Sequence, residues 1–165
     1  MNIEIFVNNG GAIVYILIAL NIIGFTLIIL KVFNIFTMKK EQDEIVKNIS
    51  DKIADNYNLE SHISELIQVN TTKYEFGLNT IKTIATISPL IGLLGTVLGI
   101  LLSFDTISKV GLDDPTVFSS NISLALITTV AGLIVAIPHF IFYNYYVGIL
   151  NKNELEINNK ILEKI

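Results

Sequence analysis

Ser88, Gly92, Thr96, Gly99 and Ser103 recur at steps of four, four, three and four inside the otherwise apolar residues 84–104. On a helix these positions share one face. Their chemistry is narrow: hydroxyls pass hydrogen bonds, and glycines let a second backbone come near. Gly95 and Gly99 add a small-xxx-small pair beside the stripe. A helix alone in lipid gains nothing from such a face. The pattern implies either a closely packed neighbouring helix or a polar path through a membrane.

A second stripe repeats the theme. Ala125, Thr129, Gly132 and Ala136 fall at helical spacing in the apolar segment that follows. Thr128 stands beside Thr129, and only one of the two can lie on that stripe. A helical threonine can satisfy its hydroxyl on a carbonyl one turn back, so either one alone reads equally well as packing. Two spans carrying Thr96 and Thr129 at comparable depth raise the alternative of a shared polar lining. No Asp, Glu or Lys occurs in residues 84–104 or 121–151. An ion pathway through hydrocarbon ordinarily uses an ionisable relay group. If this chain conducts protons, the carboxylate must come from another polypeptide.

Other polar residues in or near these spans read more plainly. His139, after Pro138, is the one titratable side chain of the third span and is expected to pack or hydrogen-bond rather than relay protons. Asp105 is expected to end the second helix, and Asn21 to make an interhelical hydrogen bond. Pro89 and Pro138 each remove a backbone donor and are expected to kink or loosen their helices.

Three apolar runs account for a mean hydropathy of +0.62 and a composition that is 52% hydrophobic over 165 residues. Residues 12–33, 84–104 and 121–150 each meet the roughly 20-residue requirement for a membrane-spanning helix. The chain therefore reads as an all-α integral membrane protein. Three helices enclose little by themselves, so a homo-oligomer is expected. The first run follows no lysine and precedes no small-residue cleavage site, so it is expected to be an uncleaved span rather than a signal peptide. The absence of cysteine excludes disulfides and thiolate chemistry. No metal site or cofactor motif occurs, and neither do the usual hydrolase or phosphate-loop signatures, so an enzyme is not expected. Lysines are too dispersed for nucleic acid.

Lysine placement orients the spans. The basic residues begin at Lys31 and continue through Lys39, Lys40, Lys47, Lys52, Lys73 and Lys82, then resume at Lys152, Lys160 and Lys164. Residues 105–120 hold Lys109 against Asp105, Asp113 and Asp114. Residues 1–11 and 105–120 are thus expected outside, with 34–83 and 151–165 in the cytoplasm. Both cytoplasmic segments are expected to be helical extensions. Ile45, Ile49, Ile53 and Tyr57 recur every four residues, with a break near 56–58. Tyr74, Leu78, Ile81 and Ala85 suggest one long helix starting near Val69 and running on through the membrane. Leu155, Ile157, Ile161, Leu162 and Ile165 continue the third helix. These apolar faces could coat surface helices or pack against neighbouring subunits.

The strings ATISPLIGLLGTVLGILLSF (85–104) and ISLALITTVAGLIVAIPHFIFYN (122–144) resemble the paired signature of the MotA/TolQ/ExbB proton-channel family, most closely its ExbB branch. The resemblance covers about residues 70–150. It implies a pentamer around a central pore lined by the second and third spans. That pore would hold single-span helices of ExbD-like partners, each supplying a proton-carrying aspartate. By motif position Thr96 and Thr129 would face that acid, and Ser88, Gly92, Gly99, Ser103, Gly132 and Ala136 would share the lining. The implied role is a motor subunit of the bacterial inner membrane, delivering proton-motive force through a TonB-like protein to outer-membrane import. A TolQ-like subunit and a non-conducting membrane scaffold are the alternatives. Many members carry a glutamate near the outer start of the third span. This chain has Leu124 there, so a mechanism needing that acid does not transfer.

Overall fold

Backbone in hydrocarbon has no water to bond, so a single apolar segment can satisfy itself only as a helix. The computed structural model describes residues 11–55, 62–111 and 115–164, and every regular element among them is helical. Helix α1 spans Gly11–Asp55, α2 spans Ile63–Thr71, α3 spans Leu78–Val110 and α4 spans Pro115–Leu162. A single 3₁₀ turn, Thr72–Tyr74, follows α2. Three of these helices (α1, α3 and α4) are long and apolar enough to cross a membrane. At 45 and 48 residues, α1 and α4 reach roughly 70 Å, more than twice the approximately 30 Å of a hydrocarbon core. Part of each must therefore lie beyond it.

The chain divides into two units, Met1–Thr26 with Thr80–Ile141, and Leu27–Asn79 with Phe142–Ile165. In the first, Val14 and Leu17 of α1 are buried with Ile84 of α3 and Ala131 and Val135 of α4. The outward faces remain apolar: Ile22 and Ile23 on α1, Leu90, Leu93 and Leu101 on α3, and Leu126, Ile134 and Ile141 on α4 are exposed. Such a surface suits lipid or other membrane helices and is unsuited to water.

In the second unit the interior is amphipathic. Ile45, Ile49 and Ile53 of α1, Ile63 and Ile67 of α2, and Ile157 and Ile161 of α4 are buried within the chain itself. The expectation that these stripes lie on surface helices or serve neighbouring subunits is corrected accordingly. Gln42 Nε2 donates to Glu156 Oε2 at 3.1 Å, Lys160 Nζ to Asp43 Oδ1 at 2.7 Å, and Thr71 Oγ1 to Glu154 Oε1 at 2.8 Å, tying α4 to α1 and α2. Leu155 and Leu162 stay exposed. Tyr57, Ile165 and the expected break near 56–58 lie outside the described residues.

Helix boundaries correct two further expectations. No helix runs from Val69 through the membrane, because α2 ends at Thr71 and Gly77 adopts φ +76° just before α3 begins. That conformation suits glycine and breaks the helical path. Nor does Asp105 end the second span. It lies inside α3, paired with Lys109 Nζ at 2.7 Å one turn on, and the helix closes at Gly111, with φ +79° and its N–H on Ile107 O at 2.9 Å. Both α3 and α4 continue past Pro89 and Pro138.

Glu41 of α1 meets two donors from the segment after α2, the Lys73 ammonium and Tyr74 OH, the latter at 2.7 Å. The lysine first, then the phenol, holds the Glu41 carboxyl below the usual carboxylate range. Burial, and then the same carboxylate, pushes the Tyr74 phenol up. A depressed carboxylate stabilises the fold fully above its unfolded value, and that contribution fades as pH falls through the folded value. Glu41→Gln should therefore flatten the acid limb of thermal stability between neutral pH and about pH 3. At pH 7 it should cost less than about 1 kcal/mol, because the charged pair Glu41 and Lys73 is partly exposed. An unchanged acid limb would show that the contact contributes nothing.

Candidate functional site

Glycine decides how α3 and α4 meet. A Cβ placed on Gly92 would stand 2.7 Å from Thr128 O and 3.1 Å from Thr129 Cα. One on Gly132 would stand 2.6 Å from Ser88 O, and one on Gly99 2.7 Å from Asn121 O. These obstacles are backbone atoms and cannot rotate away, so only glycine permits this spacing. Gly95 gives its missing Cβ volume to the Thr128 side chain. Thr128 and Thr129 thus both meet α3, one against Gly95 and the other beside Gly92. The expected stripe held Thr129 alone, but the glycines of α3 are spread widely enough to seat both.

Across this seam Thr96 and Thr129 bond hydroxyl to hydroxyl. Thr96 Oγ1 also lies 3.2 Å from Ala125 O on α4, and Thr129 Oγ1 lies 3.3 Å from Gly92 O on α3. Thr96 Oγ1 lies 3.4 Å from Gly92 O of its own helix as well. Each hydroxyl carries one proton, so the chain can run in either direction. Either Thr96 donates to Thr129, which donates to Gly92 O, or Thr129 donates to Thr96, which donates to Ala125 O or Gly92 O. Reversing the chain needs only two hydroxyl rotations. The remaining lone pairs can accept from a third group, and both side chains are half-buried, leaving one side open to it.

The other candidate lining residues lie deeper. Ser88, Gly92, Gly99, Ser103, Gly132 and Ala136 are all buried within the chain. Ser88 Oγ donates to Ile84 O at 2.7 Å and Ser103 Oγ to Gly99 O at 2.9 Å, each on its own helix. Thr128 does the same, to Ala125 O at 2.8 Å. Among the eight candidates, the structure brings together Thr96 and Thr129 as a bridge and stacks the glycines as the spacing that allows it.

His139 is fully buried, with Nδ1 2.7 Å from Val135 O, the packing role expected of it. Its Nε2 has no hydrogen-bond partner among the described residues and lies against Gly24 of α1, with the Phe25 ring edge-on at 5.1 Å. Asn21, expected to bond a neighbouring helix, has a buried Oδ1 with no partner among the described residues. Among the described residues no cluster of His, Asp or Glu could hold a metal ion.

Sequence reasoning missed the setting of Lys31. Its side chain is buried, with Nζ donating to Tyr74 O at 2.8 Å and lying 5.6 Å from the centre of the Tyr146 ring. Tyr146 OH donates to the same carbonyl at 3.3 Å. Three segments distant in sequence converge on one carbonyl, and no local pattern signals that.

The family described as the MotA/TolQ/ExbB proton channel family matches residues 32–159. The chain is 49% identical over 67 residues to the biopolymer transport protein ExbB of Aquifex aeolicus, covering 41% of this chain and 45% of the relative. It is 33% identical over 111 residues to an ExbB homolog of Methanothermobacter thermautotrophicus, covering 65% of this chain and 39% of that protein. With an ExbB-like protein of Helicobacter pylori it shares 32% identity over 108 residues, covering 66% and 52%. The matched segments thus span about half or less of these relatives' own lengths.

Replacing Gly132 by Ala should force α3 and α4 apart, because the new methyl meets Ser88 O and the Gly92 backbone. Overpacking of this kind costs about 1–3 kcal/mol. Thermal unfolding in detergent should register the loss, and an unaltered midpoint would show that the helices separate without penalty.

Proposed function

The chain belongs to the MotA/TolQ/ExbB proton channel family, and on that premise we propose that it is the channel-wall subunit of an ExbB–ExbD-type complex. In this reading the complex sits in the bacterial inner membrane as a homo-oligomer, a pentamer by resemblance. It draws on the proton-motive force to energise TonB-dependent import across the outer membrane. The observation that carries the proposal is the half-buried Thr96–Thr129 bridge in two spans devoid of Asp, Glu and Lys.

A wall of this kind suits a borrowed acid. A partner aspartate entering from the outer side would take up a proton, move past the wall as the neutral carboxylic acid, and release the proton inward. Bare carboxylate in hydrocarbon is costly, whereas the neutral acid is far less so. Thr96 and Thr129 can donate to the carboxylate or accept from the acid, and their reversible chain reorganises without moving a helix. The buried glycines and serines hold the two hydroxyls in register and do not touch the acid themselves. A carboxylate fixed in this wall would compete for the same proton, and neither span holds Asp or Glu.

Two experiments test this. Thr96→Val with Thr129→Val keeps the side-chain volume but removes both hydroxyls. We expect the complex to assemble normally while proton-coupled uptake falls at least tenfold, equivalent to about 1.4 kcal/mol. Full retention of uptake would favour a non-conducting scaffold. For orientation, a membrane-impermeant thiol reagent applied outside should label Ser108→Cys and spare Glu65→Cys. The reverse labelling would overturn the proposed topology.

A further inference from the structure

Within the second unit, α1 and α4 leave an open groove of about 820 Å³ that no part of the function above uses. Its lining is mixed: Ile35, Met38 and Ile149 are apolar, and Lys39, Lys152 and Asn153 are polar. Gly148 lies on its wall, and a Cβ there would meet nothing within 4 Å among the described residues beyond its own helix backbone and chain neighbours. Asn153 is only 6% exposed, and its Nδ2, enclosed by the protein, has no hydrogen-bond partner among the described residues.

We propose that this groove is a binding site for one anionic phospholipid. Charge supports this: the Lys39 and Lys152 ammoniums stand against a single lining carboxylate, Glu156, a balance of two to one. Glu156 is moreover engaged by Gln42 Nε2 at 3.1 Å and lies 3.9 Å from Lys152. Lys39 and Lys152 would meet the phosphate. The apolar wall argues for a lipid over free phosphate, which has no use for it. Position agrees as well. On α1 the exposed Phe33 and Phe36 give way to Lys39, and on α4 the exposed Tyr145 gives way to Lys152. Aromatic residues followed by lysines mark the level where hydrocarbon meets headgroups. An acyl chain can leave the groove along the aromatic surface while the headgroup stays between the lysines.

This inference rests on membrane embedding alone and is independent of proton conduction. The test uses the full chain, with any partner it co-purifies with, in mild detergent. Native mass spectrometry would follow titrations with phosphatidylglycerol, phosphatidylcholine and inorganic phosphate. Phosphatidylglycerol should bind in preference to phosphatidylcholine. Lys39→Gln with Lys152→Gln should weaken its retention by roughly fivefold per lysine, and Gly148→Leu, which fills open space, should abolish it. In both variants the oligomeric mass should be unchanged. The Thr96→Val, Thr129→Val protein should retain the lipid as the unaltered chain does, whatever becomes of uptake. Equal retention in all variants would overturn the site, as would competition by inorganic phosphate at matching concentration. A changed subunit number in Gly148→Leu would assign the groove to contact between copies and overturn it too.

Discussion

Backbone-to-backbone contact between α3 and α4 is the constraint on which the rest turns. Gly92, Gly99 and Gly132 face carbonyls and Cα atoms that a methyl would strike. With lipid on all sides there is no hydrophobic gain from burying one apolar helix against another, so close van der Waals packing must hold the pair. That closeness is what lets Thr96 reach Ala125 O and Thr129 reach Gly92 O across the seam. Ser88 and Ser103 on the same helix instead donate to carbonyls one turn back. The polar bridge is therefore a consequence of the glycines, and the two features cannot be separated by sequence position alone.

The second unit uses different physics. Its aliphatic stripes are buried within the chain, and polar contacts set their register: Gln42 with Glu156, Asp43 with Lys160, Thr71 with Glu154. Lys31 brings a charge into this interior, where burial is tolerated because the Tyr74 carbonyl accepts from it and the Tyr146 ring lies close by. Aliphatic packing alone specifies contact loosely. Directional bonds to one carbonyl select a single arrangement of α1, the turn after α2, and α4.

Three runs apolar and long enough to cross a membrane, and the all-helical class, were legible from residue type and spacing, because membrane length and backbone satisfaction leave few alternatives. The paired motif also pointed to the family that residues 32–159 match. Local pattern misled where helices end. Tyr74, Leu78, Ile81 and Ala85 keep helical spacing across a break, since a pattern of four is preserved through the short turn that Gly77 closes. Asp105 resembled a terminus by its charge, yet Lys109 one turn later lets it remain inside α3.

Sequence by itself determined that this chain crosses a membrane, that its second and third spans carry small and hydroxyl faces, and that neither span holds a carboxylate. Those are properties of composition and period, readable along one strand of chain. Only tertiary structure decided which hydroxyls meet, that Thr128 and Thr129 both find room against α3, that Lys31 is buried, and that Lys39 and Lys152 line one groove. Each depends on distances between residues far apart in sequence, and helical period carries no information about the approach or rotation of a second helix.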